Sequence, residues 1–272
     1  MTRIWTIAFI IMLTAATGVL APVSGKTQQP VVIFGDDNYP PYSYLEDGKA
    51  KGIYVDLLTT AFSRMPEYNI TIRLVPWKRG LNLLETGQGF ALFPPYKLPK
   101  ARPYIYPYSA PLFEESVIVV CRKELTLNKP TAHWPADYQG LRFGMNLGFH
   151  MGLDSFWAEV EAKRIAVEHA PGTTGNIIKL TQQRIDCYLN DRLAILFEYN
   201  RAVEKNKILG ARKAHPPFSV GPTIASNYAY LGYARNSARF PYKNAFMFRF
   251  DQTIQEMHAR GEVDEIVLRH LQ

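Results

Sequence analysis

Short apolar runs alternate along this chain with longer segments in which apolar residues recur every three or four positions, the pattern of strands followed by helices. Val31-Val32-Ile33-Phe34 reads as a strand stopped by Gly35-Asp36-Asp37-Asn38. Tyr39-Pro40-Pro41 forces an extended loop, because proline fixes its own φ and restricts the residue before it. Tyr54, Leu57, Leu58, Ala61, Phe62 and Met65 share one helical face over 53–65, and Ile70 to Val75 alternates as a strand. Leu81 and Leu84 mark a short helix ending near Gly87, and Phe90 to Phe93 reads as a strand closed by Pro94-Pro95. The order repeats. Ser116 to Arg122, Arg142 to Asn146, Ile165 to His169 and Cys187 to Asn190 read as strands, with helices around Leu153 to Val160 and Ile177 to Leu180 and another over Leu193 to Val203. Tyr228 to Ala234 is a late strand, followed by helices carrying Met247, Phe250, Ile254 and Met257, then Val263, Ile266 and Val267.

Two βαβαβ sets predict two open α/β units, each with a parallel sheet covered by helices. A crevice between such units binds ligands outside the carboxyl ends of the strands. The polar clusters fall there: Asp36 to Tyr39, Tyr96-Lys97, Asn146 to His150 and Asn190-Asp191 each follow a strand.

The N-terminus is different in kind. Met1-Thr2-Arg3 is a positive start, Ile4 to Leu13 is almost unbroken apolar, and small residues follow to Val23-Ser24-Gly25. This predicts a secretory signal over 1–25, cleaved after Gly25, and a periplasmic mature protein. The other reading, an uncleaved anchor, meets an apolar run interrupted by Thr6, Thr14, Thr17 and Gly18. No cysteine near the junction offers a lipid anchor. The chain has 272 residues, 47% hydrophobic and 20% charged, which supports real cores. Its net charge of +7 comes from scattered Lys and Arg without a dense run, so no nucleic-acid partner is expected. Cys121 and Cys187 are an even pair in an exported chain, open to a disulfide or to two buried thiols. No Ser-His-Asp order, clustered metal ligands or phosphate-binding glycine loop is present, so neither enzyme activity nor a metal or cofactor is expected.

Six segments in order carry a resemblance. Gly35-Asp36-Asp37-Asn38-Tyr39-Pro40-Pro41-Tyr42 and Asp47-Gly48 through Gly52-Ile53-Tyr54-Val55-Asp56-Leu57 are the first two. Trp77 with Leu84 and Gly87, and Arg102 with Tyr108-Ser109-Ala110-Pro111, are the next. Arg184-Ile185-Asp186 through Asp191, and Gly261 through Ile266, complete the set. Together they resemble the family 3 extracellular solute-binding proteins, the polar amino-acid receptors of ABC importers. The resemblance implies a type II, Venus-flytrap fold of two open α/β lobes joined by a two-segment hinge. Lobe 1 would be 26–113 with 226–272, and lobe 2 would be 114–225. It implies a monomeric receptor for an amino acid or related polar solute, closing its lobes on the ligand and delivering it to an ABC permease. The alternatives are a sensory protein presenting its ligand to a membrane receptor, or a dehydratase-type enzyme on the same fold.

 The resemblance also assigns residues. Arg102 would hold the ligand's carboxylate through its planar fork, and Asp191 would take the ammonium or else cap the helix that follows it. Tyr39 would cover one face of the ligand. Trp77 reads as core. Gly148, Phe149 and His150 would open a helix whose N–H groups favour an anion, next to Asn146 at the strand end. From residue type, Tyr42, Tyr96 and Tyr104 are open alternatives for lining a larger pocket. In the family's second lobe the strands equivalent to those of Cys121 and Cys187 are neighbours, which implies a bond between them. Phe90 stands where the family has Asp, and Pro94, Pro95 and Lys97 where it has small hydroxyl residues. Part of the usual carboxylate cradle is therefore missing, which leaves room for a different acid or an aromatic ligand. Glu114 and Glu115 near the hinge lack a second group that would make an acid–base pair.

Overall fold

A computed structural model describes residues 27–128, 133–205, 216–236 and 238–271. The expected signal segment 1–25 lies outside them. The first part of the chain forms β1 (Gln29–Asp36), β2 (Asn38–Tyr39), β3 (Ser43–Glu46), β4 (Lys49–Lys51), α1 (Ile53–Phe62), β5 (Tyr68–Val75), α2 (Trp77–Glu85), β6 (Ala91–Phe93) and β7 (Ile105–Tyr108). The middle forms β8 (Phe113–Arg122), α3 (Lys123–Asn128), β9 (Arg142–Asn146), α4 (Leu153–Glu161), β10 (Ala166–Ala170), α5 (Thr173–Thr181), β11 (Cys187–Asp191) and α6 (Arg192–Glu204). The chain ends with β12 (Phe218–Ala229), β13 (Gly232–Ala234), α7 (Lys243–Ala259) and α8 (Glu262–Leu271).

Two five-stranded sheets organise these elements, in the orders β5-β1-β6-β13-β7 and β10-β9-β11-β8-β12. Each begins with the expected parallel trio, and each continues with antiparallel strands. The parallel expectation therefore holds for the βαβαβ part of each lobe and not for the whole sheet. In the first lobe, Phe246, Phe250, Ile254 and Met257 fall on one stripe of α7 and pack with Ile33, Leu57 and Leu58. In the second, Ile118 and Val120 of β8 meet Ile177, Leu180 and Ile195 of α5 and α6.

The chain passes between the sheets along β8 and returns along β12, paired antiparallel from Phe113–Ala229 to Arg122–Phe218. Sequence reading misses most of β12, because Gly221 and Pro222 imitate a loop. The strand lies at the sheet edge and shifts register between Val220 and Ala225, and both features accommodate proline. The small β2-β3-β4 sheet also goes unread, since its strands are too short to show a period. Cys121 and Cys187 are register partners on β8 and β11 and form a disulfide, with Cα atoms 4.0 Å apart. Among the described residues no helix is long and apolar enough to cross a membrane.

Candidate functional site

The strand ends of both sheets meet at a cavity lined by Asp36, Tyr39, Trp77, Pro94, Tyr96, Leu98, Arg102, Phe149, His150 and Met151. Arg102, part of this lining, is 6% exposed. One Nη donates to the carbonyl of Gly148 at 3.0 Å, and the guanidinium lies 5.3 Å from the Trp77 ring centroid. Burial lowers its pKa, and the groups that act on its charge are tyrosines; among the described residues no carboxylate pairs with it. A buried cation with one carbonyl acceptor retains donors for an anion. Asp36, 4% exposed at the end of β1, lines the same cavity, and burial pushes its carboxyl up to about 7.

The loop before α4 is not where sequence reading expects it. Gly148, Phe149 and His150 do not open the helix, which starts at Leu153 after the left-handed Gly152. The anion-binding N–H groups expected at 148–150 are therefore not a helix terminus. Gly148 instead presents its carbonyl to Arg102 and to the Trp77 indole N–H, 3.2 Å away. Its φ is +82°, and a Cβ there would come within 3.1 Å of the Trp77 ring, so both backbone conformation and space favour glycine. Phe149 sets its ring edge-on to Tyr39 and Trp77, at 5.3 and 6.0 Å. Trp77, read as core, belongs to a core cluster and also lines the cavity. His150 stacks on Trp157 at 4.3 Å, and burial followed by the Arg102 charge lowers its pKa.

A second polar cluster lies behind the cavity wall. Glu115, fully buried on β8, accepts hydroxyl hydrogen bonds from Tyr39 and Tyr54 at 2.5 Å and from Tyr96 at 2.7 Å. Burial and the nearby Asp191 raise its carboxyl to about 8, against the pull of the tyrosine donors. Asp191 accepts from the Ala194 N–H at 2.9 Å, the Ser116 N–H at 3.0 Å and the Tyr42 hydroxyl at 3.0 Å. Burial raises it to about 6. It caps α6 and does not line the cavity that holds Arg102. Asn146 borders an adjoining space shared with Asp36, Trp77 and Phe149, and its side chain is tied to Asn176 and Tyr188.

The structure thus brings together Arg102, Tyr39, Tyr96, Phe149 and His150, with Gly148 at the guanidinium, and leaves Asp191 and Asn146 outside that cavity. Sequence reading passes over Asp36 as a site residue. Its signal is a carboxylate ending a strand at the crevice. The signal for Glu115 is a carboxylate at the start of β8, two residues before the apolar run from Val117.

A model of the bacterial extracellular solute-binding proteins, family 3, matches residues 31–272. A histidine kinase sensor domain with similarity to periplasmic binding proteins superposes with a TM-score of 0.70 at 17% identity, over 90% of this chain and 96% of that one. A structure from glutathione import via GshT and the cystine ABC importer TcyBC of Streptococcus mutans gives 0.71 at 14%, over 90% and 95%. The arginine-, lysine-, histidine-binding protein ArtJ of Geobacillus stearothermophilus gives 0.66 at 18%, over 89% and 94%. At these identities the likeness speaks for the fold, the two-lobed type II periplasmic-binding architecture. No curated protein sequence matches the chain.

Proposed function

The chain belongs to family 3 of the bacterial extracellular solute-binding proteins, and from that premise we propose that it captures a small polar solute, an amino acid or a relative of one, by closing its lobes in the periplasm and delivers it to an ABC importer. The observation that carries this reading is Arg102, a buried guanidinium in an inter-lobe cavity with no carboxylate partner among the described residues. An acid group there supplies the missing countercharge through two parallel hydrogen bonds. A cationic group on the same solute goes to Asp36, which shares the cavity, in place of Asp191, whose oxygens already accept three hydrogen bonds. Binding across both lobes favours the closed form, because only contacts made in one state shift the balance.

Glu115 faces tyrosine hydroxyls away from the cavity, and that placement favours binding over a general-acid role. The likeness to a histidine kinase sensor domain supports a second reading, presentation of the ligand to a membrane receptor. A thermal-shift screen of the purified protein against amino acids, polyamines and small organic acids tests the proposal, since a ligand raises apparent stability. At least one acid is expected to raise the midpoint, and Arg102→Ala to abolish that rise. A rise that survives Arg102→Ala rejects the assignment.

A further inference from the structure

The protein's own loop over Gly148 and Phe149 lies against Arg102 and forms part of the cavity wall. Gly148 sets a carbonyl oxygen on the Arg102 guanidinium and the Trp77 indole N–H. The next side chain, Phe149, sets a phenyl ring against both Tyr39 and Trp77. It is partly buried, against the hydrophobic clusters of both lobes. An oxygen acceptor on the cation and a ring between two aromatic walls are the two contacts that an aromatic acid would make there.

Building on the proposed solute-binding role, we infer that Gly148 and Phe149 stand in for the ligand, and that the solute is an aryl acid which displaces them. In the loop, the Gly148 carbonyl carbon and the Phe149 ring are joined through the Phe149 nitrogen, Cα and Cβ. The matching solute therefore carries a carboxylate and a phenyl-sized ring about two to three atoms apart, a spacing fixed by ordinary covalent geometry. A carboxylate offers Arg102 two charged oxygens where the peptide offers one neutral oxygen, so the exchange favours the solute. The displaced loop has somewhere to go: Leu147 and Leu153 at its ends are exposed, and a cavity of about 430 Å³ adjoins it at His150, Met151 and Gly152.

Because the occupant competes with the solute, removing it raises the fraction of molecules ready to bind, and apparent affinity rises by the inverse of that fraction. The test is calorimetry of the purified protein and of Phe149→Ala with 4-phenylbutanoate, 3-phenylpropanoate and L-phenylalanine, against butanoate and L-alanine as acids without a ring. The aryl acids are expected to bind the unaltered protein at least about 10-fold more tightly than the ringless acids, and Phe149→Ala to tighten them about 10-fold further. Phe149→Leu, which keeps bulk without a ring, is expected to move affinity in the same direction by less and covers a failure of the alanine variant to fold. Aryl acids that bind but weaken in both variants make Phe149 a wall of the site and overturn the inference. Tight binding of another solute in the screen, with no aryl acid bound, overturns it while leaving solute capture intact. If no solute of any class binds, solute capture fails and the inference fails with it.

Discussion

Two buried polar clusters flank the same crevice and differ in what they still lack. Arg102 has one carbonyl acceptor and opens on a cavity. Glu115 and Asp191 are surrounded by tyrosine hydroxyls and backbone N–H groups, and neither lines that cavity. Burial alone does not mark a binding residue, since all three are nearly inaccessible. The difference is unmet hydrogen-bonding capacity: a group with spare donors facing a space can receive a ligand, whereas a group with its acceptors engaged holds the scaffold.

The largest effect that separates them is expected from Arg102→Ala, which should cost about 2–5 kcal/mol of acid binding by calorimetry. An equal loss from an Asp191 variant would break the contrast. Glu115 should announce itself in stability. Its carboxyl lies near 4.5 when free and near 8 when folded, so the folded state holds the proton more tightly. The stabilisation is complete below about pH 4.5 and fades as pH rises through about 8, an effect of up to a few kcal/mol. Asp36 and Asp191 act with the same sign, up to about 7 and 6. The thermal midpoint contribution of these groups should thus fall from pH 5 to pH 8, and Glu115→Gln should flatten the slope in scanning calorimetry. An unchanged slope would contradict the assignment.

Smaller effects sharpen the division. Asp191→Ala should lower stability by about 1 kcal/mol through the lost cap on α6, with about 1 kcal/mol or more added by the Tyr42 and Ser116 donors left without their acceptor, and Asp191→Ser should recover the cap's share, because serine also caps helices. Denaturant melts measure both, and neither variant should change ligand affinity more than about twofold if Asp191 is scaffold. The Glu46–Arg201 pair also joins residues of the two lobes, at 3.3 Å, but its side chains are 36% and 25% exposed. Glu46→Ala should cost less than about 1 kcal/mol in the same melts.

Legibility in the sequence followed the same physics. The βαβαβ segments were readable because apolar periodicity reports which face is buried, and the motif spacing that singles out Arg102 falls on a residue that lines the cavity. The tail of each sheet was harder, as β12 shows, because an edge strand tolerates Gly221 and Pro222 and so loses its period. At the site, the resemblance offers Asp191 as the ligand's acid or as a helix cap; the structure shows the cap, and no sequence pattern reveals that its oxygens also accept from Ser116 and Tyr42. The helix start near Gly148 was misplaced because Gly152, four residues later, takes the left-handed turn that precedes α4. That displacement is also what lets a carbonyl, instead of an N–H, face the guanidinium.

The most direct test is a crystal structure of the protein with the tightest-binding acid from the solute screen. The expected result places the acid oxygens about 3 Å from the Arg102 guanidinium nitrogens, with the Gly148 carbonyl withdrawn and Asp191 still capping α6. An acid bound elsewhere, with Arg102 still held by Gly148, would contradict the account.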